Sequence, residues 1–298
     1  MCNKLRAMKP ESLIQAAPRF HAPAYIAIIL IVSMMALSVG EAGAQTTVAD
    51  DASAKAALTK AVDSPSRSAE DKARDQYRHP VETLSYFGIR PEMTVVEIWP
   101  GGGWYTDILA PFLKEHGKLY EAVPPAQNAE NSDSYRKKLA ADPAQYGKII
   151  LTELPSKQPI APAGSADMVL TFRNVHNWMR RGSAEDTFKE MFAALKPGGI
   201  LGVEEHRADA SQPQDPKAAS GYVREDYVIK LAEQAGFKLI SRSEINANPK
   251  DTKDYPSGFW TLPPTLRLGD KDRDKYLAIG ESDRMTLKFA KPLKIASY

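Results

Sequence analysis

Apolar residues fall along the chain in short runs separated by polar, glycine- and proline-rich breaks. The spacing within each run sets the element expected there. Thr94 to Ile98 is a β-branched run that predicts a strand. Pro100 and Gly101-Gly102-Gly103 interrupt it, and Tyr105, Ile108, Leu109 and Phe112 then recur at helical spacing, with the helix expected to reach Glu115 before Gly117. Further strands are predicted at Leu119 to Val123, Lys148 to Thr152, Asp167 to Phe172, Ile200 to Glu204 and Phe237 to Ser241. A last one lies near Met285, Leu287 and Phe289, where apolar and polar positions alternate. Helical patterns occupy Val81 to Phe87 with Gly88 as a stop, Ser134 to Leu139, Phe188 to Leu195 ended by Lys196-Pro197-Gly198-Gly199, and Tyr222 to Ala235 before Gly236. Ser183-x-x-Asp186 has the spacing of a capping box.

Strands that alternate with helical patterns imply βαβ crossovers. The expected fold class is therefore α/β, a three-layer sandwich around a mostly parallel seven-stranded sheet. An antiparallel edge is expected because no helical pattern of convincing length separates the last two strands.

The N-terminus changes the domain count. Lys4, Arg6, Lys9 and Arg19 precede an apolar block from Ala24 to Val39, and Ala42-Gly43-Ala44 follows. Basic, apolar and small-residue regions in that order describe a secretory signal peptide cleaved after Ala44, with an uncleaved anchor as the alternative. The block is about 16 residues long, short of the ~20 that span a bilayer. The expected organisation is residues 1–44 signal peptide, 45–70 flexible leader with one short helix, and 71–298 a single domain. Export to the periplasm follows if the host is Gram-negative, with no stable membrane association after cleavage.

Charge and cysteine content narrow the function. Removing the four bases and two acids of the leader from 39 and 37 leaves 35 of each, so the remaining chain is formally neutral. That is not the basic footprint of a nucleic-acid binder, and a small molecule is the expected partner. Cys2 is the single cysteine and lies in the leader, which excludes thiolate nucleophiles and Cys-ligated zinc from the domain.

The run Glu97-Ile98-Trp99-Pro100-Gly101-Gly102-Gly103 resembles the first motif of class I S-adenosylmethionine (SAM)-dependent methyltransferases, an acid followed by spaced glycines. Trp99 stands where the first glycine of that pattern belongs. Ala166-Asp167-Met168-Val169-Leu170, Leu195-Lys196-Pro197-Gly198-Gly199 and Ala235-Gly236-Phe237 resemble later signatures of the same fold. The segments Pro100 to Thr106, Asn174 to Trp178 and Ser282 to Met285 are most similar to a subgroup of exported methyltransferase-like proteins. The resemblance implies a Rossmann-like sheet and SAM as cofactor, with Glu97, Gly101, Gly102, Gly103 and Asn174 as its binding residues. It also implies a ribose-binding acid at the end of the second strand, where this chain has Val123, with Glu121 two residues earlier. Val123→Asp is expected on that basis to strengthen SAM binding.

In open α/β sheets ligands bind beyond the carboxyl ends of the strands. Three such ends are polar or glycine-rich: Gly101 to Gly103 with Tyr105, Arg173-Asn174 with His176-Asn177, and Glu204-Glu205-His206-Arg207. His176, His206 and Tyr105 are the candidate catalytic residues, the imidazoles because they titrate near neutrality. The expected function is methyl transfer from SAM to an acceptor the sequence does not name. The alternative is a non-catalytic or metal-dependent small-molecule-binding protein on the same scaffold. His79, His176, Glu205 and His206 form its N/O ligand set, although their spacing matches no metal signature. The long segment from Asn246 to Ser282, with Phe259-Trp260 in it, is expected to be a lid or a partner-binding loop.

Overall fold

The structure is a computed structural model and describes residues 50–125 and 130–293. The signal-peptide segment lies outside the described residues. Ala52–Tyr298 forms one compact unit. The compact unit thus starts at Ala52 rather than at residue 71. Residues 50–62 are helical (α1), and Leu58, Ala61 and Val62 bury in the core instead of forming a flexible leader.

The elements then follow in the order α2 (Ala69–Ala73), α3 (Asp75–Arg78), α4 (Pro80–Phe87), β1 (Thr94–Ile98), α5 (Thr106–Leu113), β2 (Lys118–Val123), α6 (Glu130–Ala141), α7 (Pro143–Tyr146) and β3 (Ile150–Glu153). The second half contains β4 (Ala166–Phe172), α8 (Val175–Arg181), α9 (Ala184–Ala194), β5 (Leu195–His206), α10 (Glu225–Gln234), β6 (Lys238–Ser243), α11 (Arg273–Ile279) and β7 (Arg284–Ala290). The seven strands form one sheet in the order β3-β2-β1-β4-β5-β7-β6. β1 to β5 pair in parallel, and β7 runs antiparallel to both β5 and β6. This is the Rossmann-like, mostly parallel sheet expected, with β1 in its interior.

Strand alternation divides the core between two faces. Val96 and Ile98 of β1 join Val169, Leu201, Trp178 and Phe188 on one side. Val95 joins Leu109, Phe112, Phe87 and Leu170 on the other. With both faces covered, the strands read as nearly continuous apolar runs.

Three local expectations change. Ser183 makes no side-chain cap, and Asp186 pairs with Lys189 instead at 2.9 Å, so the capping-box spacing is coincidental. Lys196 to Gly199 does not delay β5 to Ile200, since Leu195 already pairs with Ala166, and an irregularity between Ala166 and Met168 absorbs the glycines. Helix α10 starts at Glu225 rather than Tyr222, because Val223 forms a bridge with Arg207.

Candidate functional site

The chain leaves β1 toward β2 on one side, while β4 lies on the other, so their carboxyl ends form a switch point. A cavity of about 390 Å³ lies there. Its floor is Trp99 to Gly102, one wall is Phe172, Arg173, Asn174, His176 and Asn177, and another is Arg74 and Arg78 from the region of α2 and α3 with Trp104 from the turn before α5. The segment before β7 adds Phe259, Trp260, Glu281 and Ser282 to the lining.

Backbone conformation explains the floor. Gly101 has φ +62°, a conformation strained for any side chain, and a Cβ on Gly101 or Gly102 would meet nothing within 4 Å. The turn therefore presents bare backbone to the cavity. Trp99 adopts φ 50°, so the residue standing in the first glycine position takes a glycine-like conformation at a cost. Its indole Nε1 donates to the Leu154 carbonyl at 2.8 Å, and its backbone N–H donates to Ala122. Leu154 follows β3, and β2 lies between β3 and β1, so the indole covers the end of β2.

His176, His206, Asn174, Gly101 and Gly102 line the cavity; Glu97, Gly103 and Tyr105 are not among its lining. Gly103 is backed by the Tyr135 ring, which a Cβ would approach to 2.9 Å. Tyr105 is buried and stacked on Phe172, and its hydroxyl donates to Glu204 at 3.2 Å. Burial and the neighbouring Glu204 push its pKa well up, so it is a donor and not a base. Glu97 is buried opposite Glu121 in the β1–β2 register. It accepts from Thr106 Oγ1 at 2.9 Å, and that hydroxyl also meets Tyr135 at 3.1 Å. Neither Glu121 oxygen has a hydrogen-bond partner of good geometry, although Glu97, Thr106 and Tyr135 surround it. Burial first, and mutual repulsion second, raise Glu121 well above the ordinary carboxylate range, and burial raises Glu97 as well.

The two imidazoles are held from behind. His176 Nδ1 lies 2.9 Å from Glu205 Oε1, and Glu205 also accepts from the backbone N–H groups of His176 and His206. His206 Nδ1 is 2.6 Å from Ser282 Oγ, and its ring stacks on Phe259 at 3.5 Å. Burial, then His176, then Arg173, Arg284 and Arg78 hold His206 well below the usual imidazole range, which leaves it neutral at pH 7. His176, Glu205 and His206 place ligand atoms within 4.8 Å of one another. His79 is absent from this group, so the ligand set read from sequence shrinks to three. The surroundings disfavour a cation, because Glu205 is already occupied and three guanidiniums bear on His206. The arrangement is better described as two oriented imidazoles facing a polar cleft.

Sequence reasoning placed Arg173 at a strand end but missed Arg74, Arg78 and Arg284. Arg74 and Arg78 bond Glu281 at 2.7 and 3.1 Å, and Arg284 bonds both Glu281 and Glu204 at 3.0 and 3.2 Å. Arg173 bonds Glu204 at 2.8 Å. These partners lie up to 207 positions apart in the chain, and no local motif announces them.

Against the SAM expectation the fit is divided. The open Gly101–Gly102 backbone suits the amino-acid end of such a ligand. The nucleoside end meets no carboxylate, because Val123 is 1% exposed in an apolar cluster and Trp99 covers the end of β2. The same burial weighs against the expectation for Val123→Asp. A carboxylate left unpartnered there would cost stability.

No family model matches the chain, and no curated protein matches it. Among solved structures it is similar to a SAM-dependent methyltransferase from Aquifex aeolicus, at 17% identity and TM-score 0.51, over 80% of this chain and 98% of that one. It is also similar to the [4+2]-cyclase SpnF, at 13% identity and TM-score 0.52, over 78% of this chain and 85% of that one. The chain has the fold of class I SAM-dependent methyltransferases.

Proposed function

We propose that the protein transfers a methyl group from SAM to a small molecule held in the cleft, with the donor's amino-acid end over Gly101 and Gly102. One observation carries this reading: the bare glycine backbone forms the floor of a cavity at the switch point of a methyltransferase fold. SAM, when bound, supplies a methyl group already activated by its sulfonium. The chain's own residues then have to orient an acceptor and exclude water, for which Asn174, Asn177 and the Phe259–Trp260 lid are placed. His206, neutral and lining the cleft, would take the proton that the acceptor gives up as it receives the methyl group.

The buried Trp99 and Val123 favour a second reading, a binding protein on this scaffold whose ligand has no nucleoside. A titration of the purified protein with SAM separates the two. The first reading expects binding weaker than micromolar, lowered at least about tenfold by Gly101→Val, which is ~1.4 kcal/mol. Binding untouched by that substitution would remove the site from the glycine turn, and no binding at all would leave the second reading in place.

The chain is further proposed to be exported and cleaved after Ala44. Among the described residues no helix is long and apolar enough to cross a membrane. Intact-mass measurement on protein from its native host should give a chain that begins at Gln45, and full-length protein in the membrane fraction would refute this.

A further inference from the structure

The charge balance around the cleft is uneven. Four guanidiniums, from Arg74, Arg78, Arg173 and Arg284, share two carboxylates, Glu204 and Glu281. Asp71, the other acid of the lining, accepts from Ser68 Oγ at 2.8 Å. Glu205 is taken by His176. The cavity's own lining therefore sets three guanidiniums, of Arg74, Arg78 and Arg173, against two carboxylates, of Asp71 and Glu281, in a largely buried setting where the guanidiniums repel one another. Burial, then Arg173, lowers the Arg78 pKa to about 9 despite its bond to Glu281. Arg74 Nη2 is buried with no hydrogen-bond partner.

Three of these guanidiniums, on Arg74, Arg78 and Arg173, face the cavity, as do Asn174, Asn177, His176 and His206. Guanidinium forks match the planar oxygens of carboxylates and phosphates. We propose that the cleft takes a small acidic molecule, its carboxylate or phosphate group held by Arg74, Arg78 and Arg173 and its apolar body resting on Trp99, Phe259 and Trp260.

The donor itself does not answer this charge. SAM is a zwitterionic amino acid with an added sulfonium, so it brings a net positive charge into the site. The anion belongs to the second ligand, and under the methyl-transfer reading, on which this assignment to an acceptor rests, that ligand is the acceptor.

The test is calorimetric titration of the whole protein with benzoate, phenyl phosphate and the uncharged isostere benzamide, with a parallel titration with SAM. Benzoate or phenyl phosphate should bind and benzamide should not, and the tighter of the two acids identifies the group. Arg78→Met and the more exposed Arg74→Gln should each weaken that binding about tenfold or more. Thermal unfolding of Arg74→Gln serves as the folding control and should stay close to wild type. Equal binding of benzamide, or no binding of either acid, would overturn the proposal. SAM that displaces the acid from the arginines would also overturn it, by giving them to the donor. If SAM binds and the acids do not, methyl transfer survives and the anion site falls; if the acids bind and SAM does not, the anion site stands and methyl transfer falls.

Discussion

Glu281→Gln is expected to cost the fold about 3–5 kcal/mol, the range for removing one partner from a buried ion pair and leaving the other uncompensated. Glu281 holds Arg74, Arg78 and Arg284 at 2.7–3.1 Å and is 4% exposed. Burial by itself would raise its pKa, but Arg78, Arg284, Arg74 and Arg173 override this and bring it down to about 2. The sign of the pH dependence follows. A carboxyl depressed in the folded state stabilises above its unfolded value near 4.5, and this stability is lost as pH falls from there toward 2. Urea unfolding at pH 7 and pH 3 is the measurement. The variant should unfold at much lower urea at pH 7, and the gap should narrow at pH 3. A gap that persists at pH 3 would mean that lost packing, not lost charge, is responsible.

The Glu97–Glu121 pair should behave in the opposite sense. Two carboxyls buried face to face on adjacent strands keep a proton in the folded state that the unfolded chain releases above about pH 4.5. Stability contributed by that proton is present below pH 4.5 and falls as pH rises toward the raised folded value. The slope is about 1.4 kcal/mol per pH unit for one proton, or close to 3 kcal/mol between pH 5 and pH 7. His206 works against this below pH 6.5, because its depressed imidazole gains stability with rising pH there. The difference between wild type and Glu121→Gln isolates the pair. Glu121→Gln should be the flatter of the two between pH 5 and pH 7 and the more stable at pH 7. Parallel curves would show that the pair ionises freely in the folded protein.

The architecture was legible where local chemistry dictates it. The β-branched run at Thr94 to Ile98, the glycine turn after it, and Gly88 and Gly236 as stops all depend on near neighbours in the chain. The site was only half legible. His176, His206 and Asn174 could be found because a strand-end position predicts cleft exposure. Glu97 could not be placed, because its side chain turns to Thr106 and Tyr135 on the face opposite the one occupied by Trp99. Arg74 and Arg78 read as ordinary helix polarity, and only the arrival of Glu281 and Arg284 gives them a role. Trp99 was visible as a departure from the motif, but its reach to Leu154 depends on the order β3-β2-β1, which the sequence does not spell out.

The position of β7 sets an order of events during synthesis. It is the last of the described strands, yet it sits between β5 and β6. Until the ribosome has released it, β5 carries an open hydrogen-bonding edge and β6 has no neighbour to pair with. Glu281 emerges just ahead of it, so Arg74 and Arg78 leave the ribosome 207 and 203 residues before their shared counter-charge. The cleft is completed only once β7 is in place, and a nascent chain stalled before β7 would expose the edge on which misassembly starts.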